Sequence, residues 1–184
     1  MKHIIITLMV FVLPFAVVSC NQDSKPQKKN KTNLKQVIKS NTIYSSVNWI
    51  STEELDKKMA QSPKKVLILF TKKGCPYCKE MKESTLIDPE IIKLINDNFY
   101  AVMLDGKSKE PIVFRGQTYV NDHPNPEDAP WRHNLFAELV EPYKGGYYWP
   151  STVFLNSDFS MIRSFPGVQK PPQFKRLLMS IIKS

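Results

Sequence analysis

Val66-Leu67-Ile68-Leu69-Phe70-Thr71-Lys72-Lys73-Gly74-Cys75-Pro76-Tyr77-Cys78-Lys79-Glu80 is the stretch on which the reading of this chain turns. Its first five residues are apolar without a break and rich in branched side chains, which suits a strand buried on both faces. Residues 79–84 are rich in helix formers, so a helix follows. The two cysteines therefore stand where strand gives way to helix, with Cys75 at the helix entrance. Unpaired backbone N–H groups and the positive end of the helix dipole favour a thiolate there over a thiol. An ordinary cysteine titrates near ~8.5, and such settings bring that to roughly 3.5–7.5. Lys72 and Lys73 push the same way, although exposed charges are screened within ~10 Å. Cys78, one turn into the helix, is within reach to attack a mixed disulfide formed at Cys75. That is the chemistry of thiol–disulfide exchange.

The rival for a Cys-x-x-Cys pair is half of a zinc site. Tetrahedral zinc takes four ligands, usually from a second pair or from spaced histidines. Beyond the N-terminal segment only His123 and His133 are present, ten residues apart in a different region, and both read as surface or helix-face residues. Redox chemistry is the better reading, with no metal and no bound cofactor expected.

The chain has 184 residues, of which 42% are hydrophobic and 23% charged, enough for one domain with a substantial core. The N-terminus reads as something else. Lys2 and His3 precede an apolar run at 4–18 broken only by Thr7 and Pro14. About 20 residues are needed to span a bilayer, so residues 1–19 read as a secretion signal. The run closes on Val17-Val18-Ser19-Cys20, which resembles the bacterial lipobox. That resemblance implies cleavage before Cys20 and lipid attachment to it. The alternative is an ordinary signal with an incidental cysteine. Cysteine parity fits the lipid reading, because three cysteines would leave one unpaired in an oxidising compartment. Acyl chains contribute ~0.8 kcal/mol per buried methylene, so several would hold the protein at a membrane. By similarity to other bacterial lipoproteins, Asn21 after the cysteine hints at the outer membrane, facing the periplasm.

The net charge of +9 is uneven: Lys25, Lys28, Lys29, Lys31, Lys35 and Lys39 face only Asp23 between residues 21 and 40. With few large apolar side chains, residues 20–41 read as a lipid anchor and a disordered basic tether. No aromatic residues interleave these lysines, so nucleic acid is not an expected partner.

The domain is expected over 42–184. A short strand fits 47–50, and Ser51-Thr52-Glu53-Glu54 is a capping-box pattern opening a helix to about Gln61. Beyond the cysteines the helix runs to about Thr85. Asp88-Pro89-Glu90 opens another, with Asp as cap and Pro in its first turn. Residues 100–104 are strand-like. From 107 to 148 the pattern loosens into an insertion: a hairpin with strands at 112–114 and 118–120, a loop at 121–130, and a short helix over 131–140 burying Trp131, Leu135, Phe136 and Leu139. Strands at 151–155 and 161–165 and a helix over 172–182 complete the chain.

This order, with Cys-x-x-Cys after the second strand and a proline before the penultimate one, resembles the thioredoxin-like fold, an α/β fold with a central mixed sheet flanked by helices. The resemblance rests most on Gly74-Cys75-Pro76-Tyr77-Cys78-Lys79 and Tyr148-Trp149-Pro150-Ser151-Thr152-Val153-Phe154-Leu155. It implies a catalytic pair, Cys75 as nucleophile and Cys78 as resolving thiol, supported by Lys73, Gly74, Pro76 and Tyr77. It further implies that Pro150 is a cis-proline packing beside the pair, and that backbone near Trp149 and Ser151 docks an extended substrate segment by strand addition. The departures are specific. Many family members carry a buried acid six residues before the first cysteine, where this chain has Leu69, and a Trp where it has Gly74. Proton handling at Cys78 then falls to Glu80, Lys79 or water. Pro76-Tyr77 matches glutaredoxins, but the Thr-Val-Pro and Gly-Gly elements of their glutathione site are missing around Pro150. The function expected is a lipid-anchored thiol–disulfide oxidoreductase of the bacterial cell envelope, acting on protein thiols and disulfides and exchanging electrons with a membrane thiol carrier. A non-catalytic adaptor of the same fold, or a metal-delivery protein, are the alternatives.

Overall fold

The computed structural model describes residues 44–123, 125 and 131–184; the expected leader, Cys20, the basic tether and positions 124 and 126–130 of the expected loop lie outside them. Strand β1 (Trp49–Ile50) is two residues long, shorter than the four expected, because only Trp49 and Ile50 find partners, on Ala101 and Val102. Helix α1 (Thr52–Gln61) starts where the capping pattern puts it, with the Ser51 hydroxyl accepting the Glu54 N–H at 3.1 Å. Strand β2 (Lys65–Thr71) leads to helix α2 (Pro76–Glu80). The helix expected to reach Thr85 does so, but its last turn (Met81–Thr85) is a π-helix, closed by the Leu86 N–H on the Met81 carbonyl at 3.0 Å. Helix α3 (Pro89–Asn98) is capped by Asp88, whose carboxylate accepts the Glu90 and Ile91 N–H groups. Strand β3 (Phe99–Asp105) follows.

Strands β1, β3 and β2 run parallel. Strands β6 (Ser151–Leu155) and β7 (Met161–Pro166) add antiparallel, giving the order β1-β3-β2-β6-β7. The crossover from β1 to β2 runs one way across the sheet and that from β2 to β3 runs back. Right-handed crossovers then put α1 on one face and α2 with α3 on the other. The side chains of β2 divide accordingly. Val66, Ile68 and Phe70 pack with Leu55 and Met59 of α1, while Leu67 and Leu69 pack with Met81, Ile91 and Ile95. The closing helix α5 (Pro171–Lys183) adds Phe174, Leu178 and Ile181 to the second face. Leu69 is thus an ordinary core residue.

The insertion covers the first face. Strands β4 (Ile112–Phe114) and β5 (Gln117–Tyr119) join through a two-residue turn, Arg115-Gly116, with both residues at positive φ, the twist that suits a tight hairpin. Backbone N–H groups of Arg115 and Gly116 donate to the carboxylate of Asp56 on α1, fixing the hairpin tip. Helix α4 (Asn134–Leu139) is shorter than the 131–140 expected and excludes Trp131. The reason is His133. Expected on a surface or helix face, it is fully buried and serves as the N-cap, its Nδ1 accepting the Leu135 N–H at 3.2 Å. Burial lowers its pKa, against which the carbonyls of Glu110 and Tyr119 near the ring pull upward without making a well-formed bond to Nε2. His123 is exposed.

Candidate active site

Gly74 has φ 69°, a left-handed conformation that turns the chain from β2 into α2 at little cost for a residue lacking Cβ. Cys75 follows as the N-cap, its sulfur accepting the Cys78 N–H at 3.1 Å, with Pro76 in the first helical turn. Once the pair is reduced, a thiolate at this sulfur would meet that N–H and the helix entrance, a setting of the kind that favours it. Cys75 and Cys78 are joined by a disulfide with their Cα atoms 5.2 Å apart. Cys75 is 7% exposed and Cys78 3%, whereas Tyr77 between them is 62% exposed. Both cysteines line an open groove of about 500 Å³ that also includes Lys73, Gly74, Pro76 and Lys79.

Register places the second half of the site. Ser151 pairs with Phe70, so β6 begins beside the end of β2 and Pro150 stands level with Thr71. The Trp149–Pro150 peptide is cis. The Pro150 carbonyl accepts the Gly167 N–H at 2.7 Å, while among the described residues the backbone of Trp149 makes no hydrogen bond. Ser151, expected with Trp149 at the docking edge, lies at the start of β6. It is fully buried on a strand paired on both sides, and its hydroxyl donates to the Tyr148 carbonyl at 2.7 Å, so its side chain is committed to the fold. The Trp149 ring is half-committed: it stacks on Phe136 at 4.3 Å between centroids and lies against Gly106.

Gly106 is a residue the sequence reading missed. A Cβ built there would lie 2.5 Å from Trp149 Cη2 and 2.8 Å from Phe136 Cδ2, so only glycine fits. Its N–H donates to the Thr71 carbonyl at 2.9 Å and its carbonyl accepts the His133 N–H at 2.8 Å. One residue thus joins the end of β2, the start of α4 and the tryptophan before the cis-proline. The only local signal was Asp105-Gly106 at a strand end. Of the proton acceptors considered for Cys78, Glu80 is ion-paired with Lys170, and Lys79 lines the groove 3.9 Å from Glu83.

The sequence model of the thioredoxin-like domain family matches residues 52–182. This chain belongs to that family. Among solved structures it is similar to a thioredoxin from Thermus thermophilus, with a TM-score of 0.51 and 21% identity over 74% of this chain and 87% of that one. It is also similar to a DsbH oxidoreductase, with a TM-score of 0.49 and 14% identity over 87% of this chain and 95% of that one. Among curated proteins it is 25% identical over 136 residues to spermatogenesis-associated protein 20 of Mus musculus, covering 72% of this chain but 17% of that protein. The chain therefore spans a small part of the curated relatives it matches. A thioredoxin-like domain with a bonded cysteine pair at a helix entrance supports thiol–disulfide oxidoreduction at the general level.

Proposed function

We propose that this chain is a thiol–disulfide oxidoreductase of the bacterial cell envelope, held to the membrane by lipid on Cys20 and acting on protein cysteines. The observation that carries the chemistry is the Cys75 sulfur: it caps α2, accepts the Cys78 N–H and lies on an open groove beside the disulfide partner. In the reducing direction the Cys75 thiolate attacks a substrate disulfide, forming an intermolecular S–S bond and releasing one substrate thiolate. The Cys78 thiolate then attacks Cys75 Sγ, releasing the second substrate thiolate and closing Cys75–Cys78. Two electrons pass to the substrate and two protons complete its thiols. The oxidising direction is the same sequence reversed, and the partner's potential sets which one runs, ~30 mV being worth ~1.4 kcal/mol. A membrane thiol carrier is the class of partner that would re-reduce the pair. The backbone of Trp149, unpaired among the described residues and next to Pro150, suits an extended substrate segment adding as a strand. The lipobox-like Val17-Val18-Ser19-Cys20 supports the anchor, and Asn21 the outer membrane.

The test is a pair of variants. Cys78→Ser accumulates mixed disulfides between Cys75 and its substrates, released by reductant, and Cys75→Ser gives none. A cell in which the Cys75→Ser, Cys78→Ser double variant supports normal function would show an adaptor instead. Metabolic labelling with palmitate, lost in Cys20→Ala, checks the anchor.

A further inference from the structure

The groove at the cysteines continues into a second, of about 250 Å³, that shares Lys72 and Lys73 and adds Asp105, Lys107 and Trp131. Lysines come to this rim from four places: Lys72 and Lys73 from the β2–α2 loop, Lys79 from α2, Lys82 from the π turn, and Lys107 from the insertion. Among the described residues Lys72, Lys73, Lys82 and Lys107 make no salt bridge, as is also true of Lys57, Lys109 and Lys144; what sets the four apart is that they converge on one groove system beside the disulfide. The two acids nearby are engaged. Glu83 faces Lys79, and Asp105 Oδ1 accepts the Lys107 backbone N–H at 2.9 Å. Lys107 is also held in place, its Nζ 4.0 Å from the centre of the Trp131 ring. Partial burial, and then the charge of Lys72, lower its pKa, while the Asp105 carboxylate pulls it back up by less, so Lys72 and Lys107 are held close enough to repel with Asp105 offsetting only part of it. An anion entering here relieves that repulsion.

We propose that this rim selects substrates whose reactive cysteine is flanked by Asp or Glu, with Lys72, Lys73, Lys82 and Lys107 receiving the carboxylates. The proposal rests on the exchange reading above. The occupant is a polypeptide because the rim and the reacting sulfur share one groove, and what binds there must present a cysteine; a lipid headgroup presents none. Complementary charge of this kind acts chiefly on encounter rate and on rejection of the wrong partner.

The experiment uses the full-length reduced protein and three disulfide-linked peptides, identical except for Glu, Gln or Lys flanking the cysteine. At low salt kcat/KM for the Glu peptide is expected to exceed that for the Lys peptide about tenfold or more, the gap narrowing as salt rises. Lys107→Gln is expected to reduce the Glu-to-Gln preference about threefold, and Lys72→Gln combined with it to reduce it further. Equal kcat/KM for the three peptides, or a preference untouched by the double variant, overturns the proposal and leaves the exchange chemistry standing. Equal rates with inhibition by phosphatidylglycerol vesicles would overturn it by assigning the rim to a membrane surface. Reaction with none of the three peptides would overturn the exchange reading and this one with it.

Discussion

At the scale of single residues the site depends on neighbours that do no chemistry. Gly106→Ala forces a methyl into the Trp149 and Phe136 rings, and Trp149 is bonded to the cis-proline. Overpacking of this kind costs about 1–3 kcal/mol. The variant is expected to lose that much stability to urea and to exchange more slowly, because the residue that moves sits at the proposed docking edge. A loss of stability with unchanged exchange rate would separate Gly106 from the site. Glu80 gives the opposite expectation. Its carboxylate is taken by Lys170, so Glu80→Gln is expected to change the rate of disulfide closure less than about twofold, measured by stopped-flow fluorescence. A larger fall would restore Glu80 as the proton acceptor for Cys78. The sequence could nominate Glu80 by its spacing from Cys78, but its partner lies ninety residues on.

At the scale of elements, what repeats locally was legible and what closes over distance was not. Ser51 and Asp88 announced their helices, and the apolar run at 66–70 announced β2, because caps and periodicity are written in adjacent residues. The π turn at Met81–Thr85 had no such signal, since its residues suit an α-helix equally well. Its anchor is tertiary: buried Thr85 donates its hydroxyl to the Gln169 carbonyl at 2.7 Å, and Gln169 Nε2 donates to the Pro166 carbonyl. Because Gly167 in the same loop donates to the Pro150 carbonyl, the end of the active-site helix and the cis-proline share one support. Thr85→Val removes a buried donor and leaves a buried carbonyl unpaired, worth about 1–3 kcal/mol. Urea unfolding should show that loss, with faster amide exchange at Gly167. Ser84→Ala, one residue earlier but exposed, should change stability by under about 0.5 kcal/mol.

At the scale of the whole molecule, the insertion is part of the core on one face of the sheet. Phe114, Leu135, Phe136 and Leu139 pack with Ile68, Phe70 and Val153, and Phe136 carries Trp149. The hairpin and short helix were legible; the depth to which they are buried was not, because the contacts that bury them span tens of residues. His133 ties this part to pH. Its Nδ1 must be unprotonated to accept the Leu135 N–H, and the ring is buried, so charging it costs both desolvation and the cap. Its pKa in the folded protein lies below that in the unfolded chain, about 6.5. The unfolded state therefore binds more protons at mildly acid pH, and stability rises with pH there. The contribution of His133 is fully present above about pH 6.5 and is lost as pH falls below it. Urea midpoints taken from pH 7.5 to 5.5 are expected to fall, and His133→Asn, which keeps a cap acceptor but does not titrate, is expected to flatten that slope. The carboxylates whose pKa values the fold lowers, Asp97 and Asp158 among them, begin to protonate in the unfolded chain only at lower pH. A slope between pH 7.5 and 5.5 that persists in His133→Asn would place the pH sensitivity of the fold elsewhere.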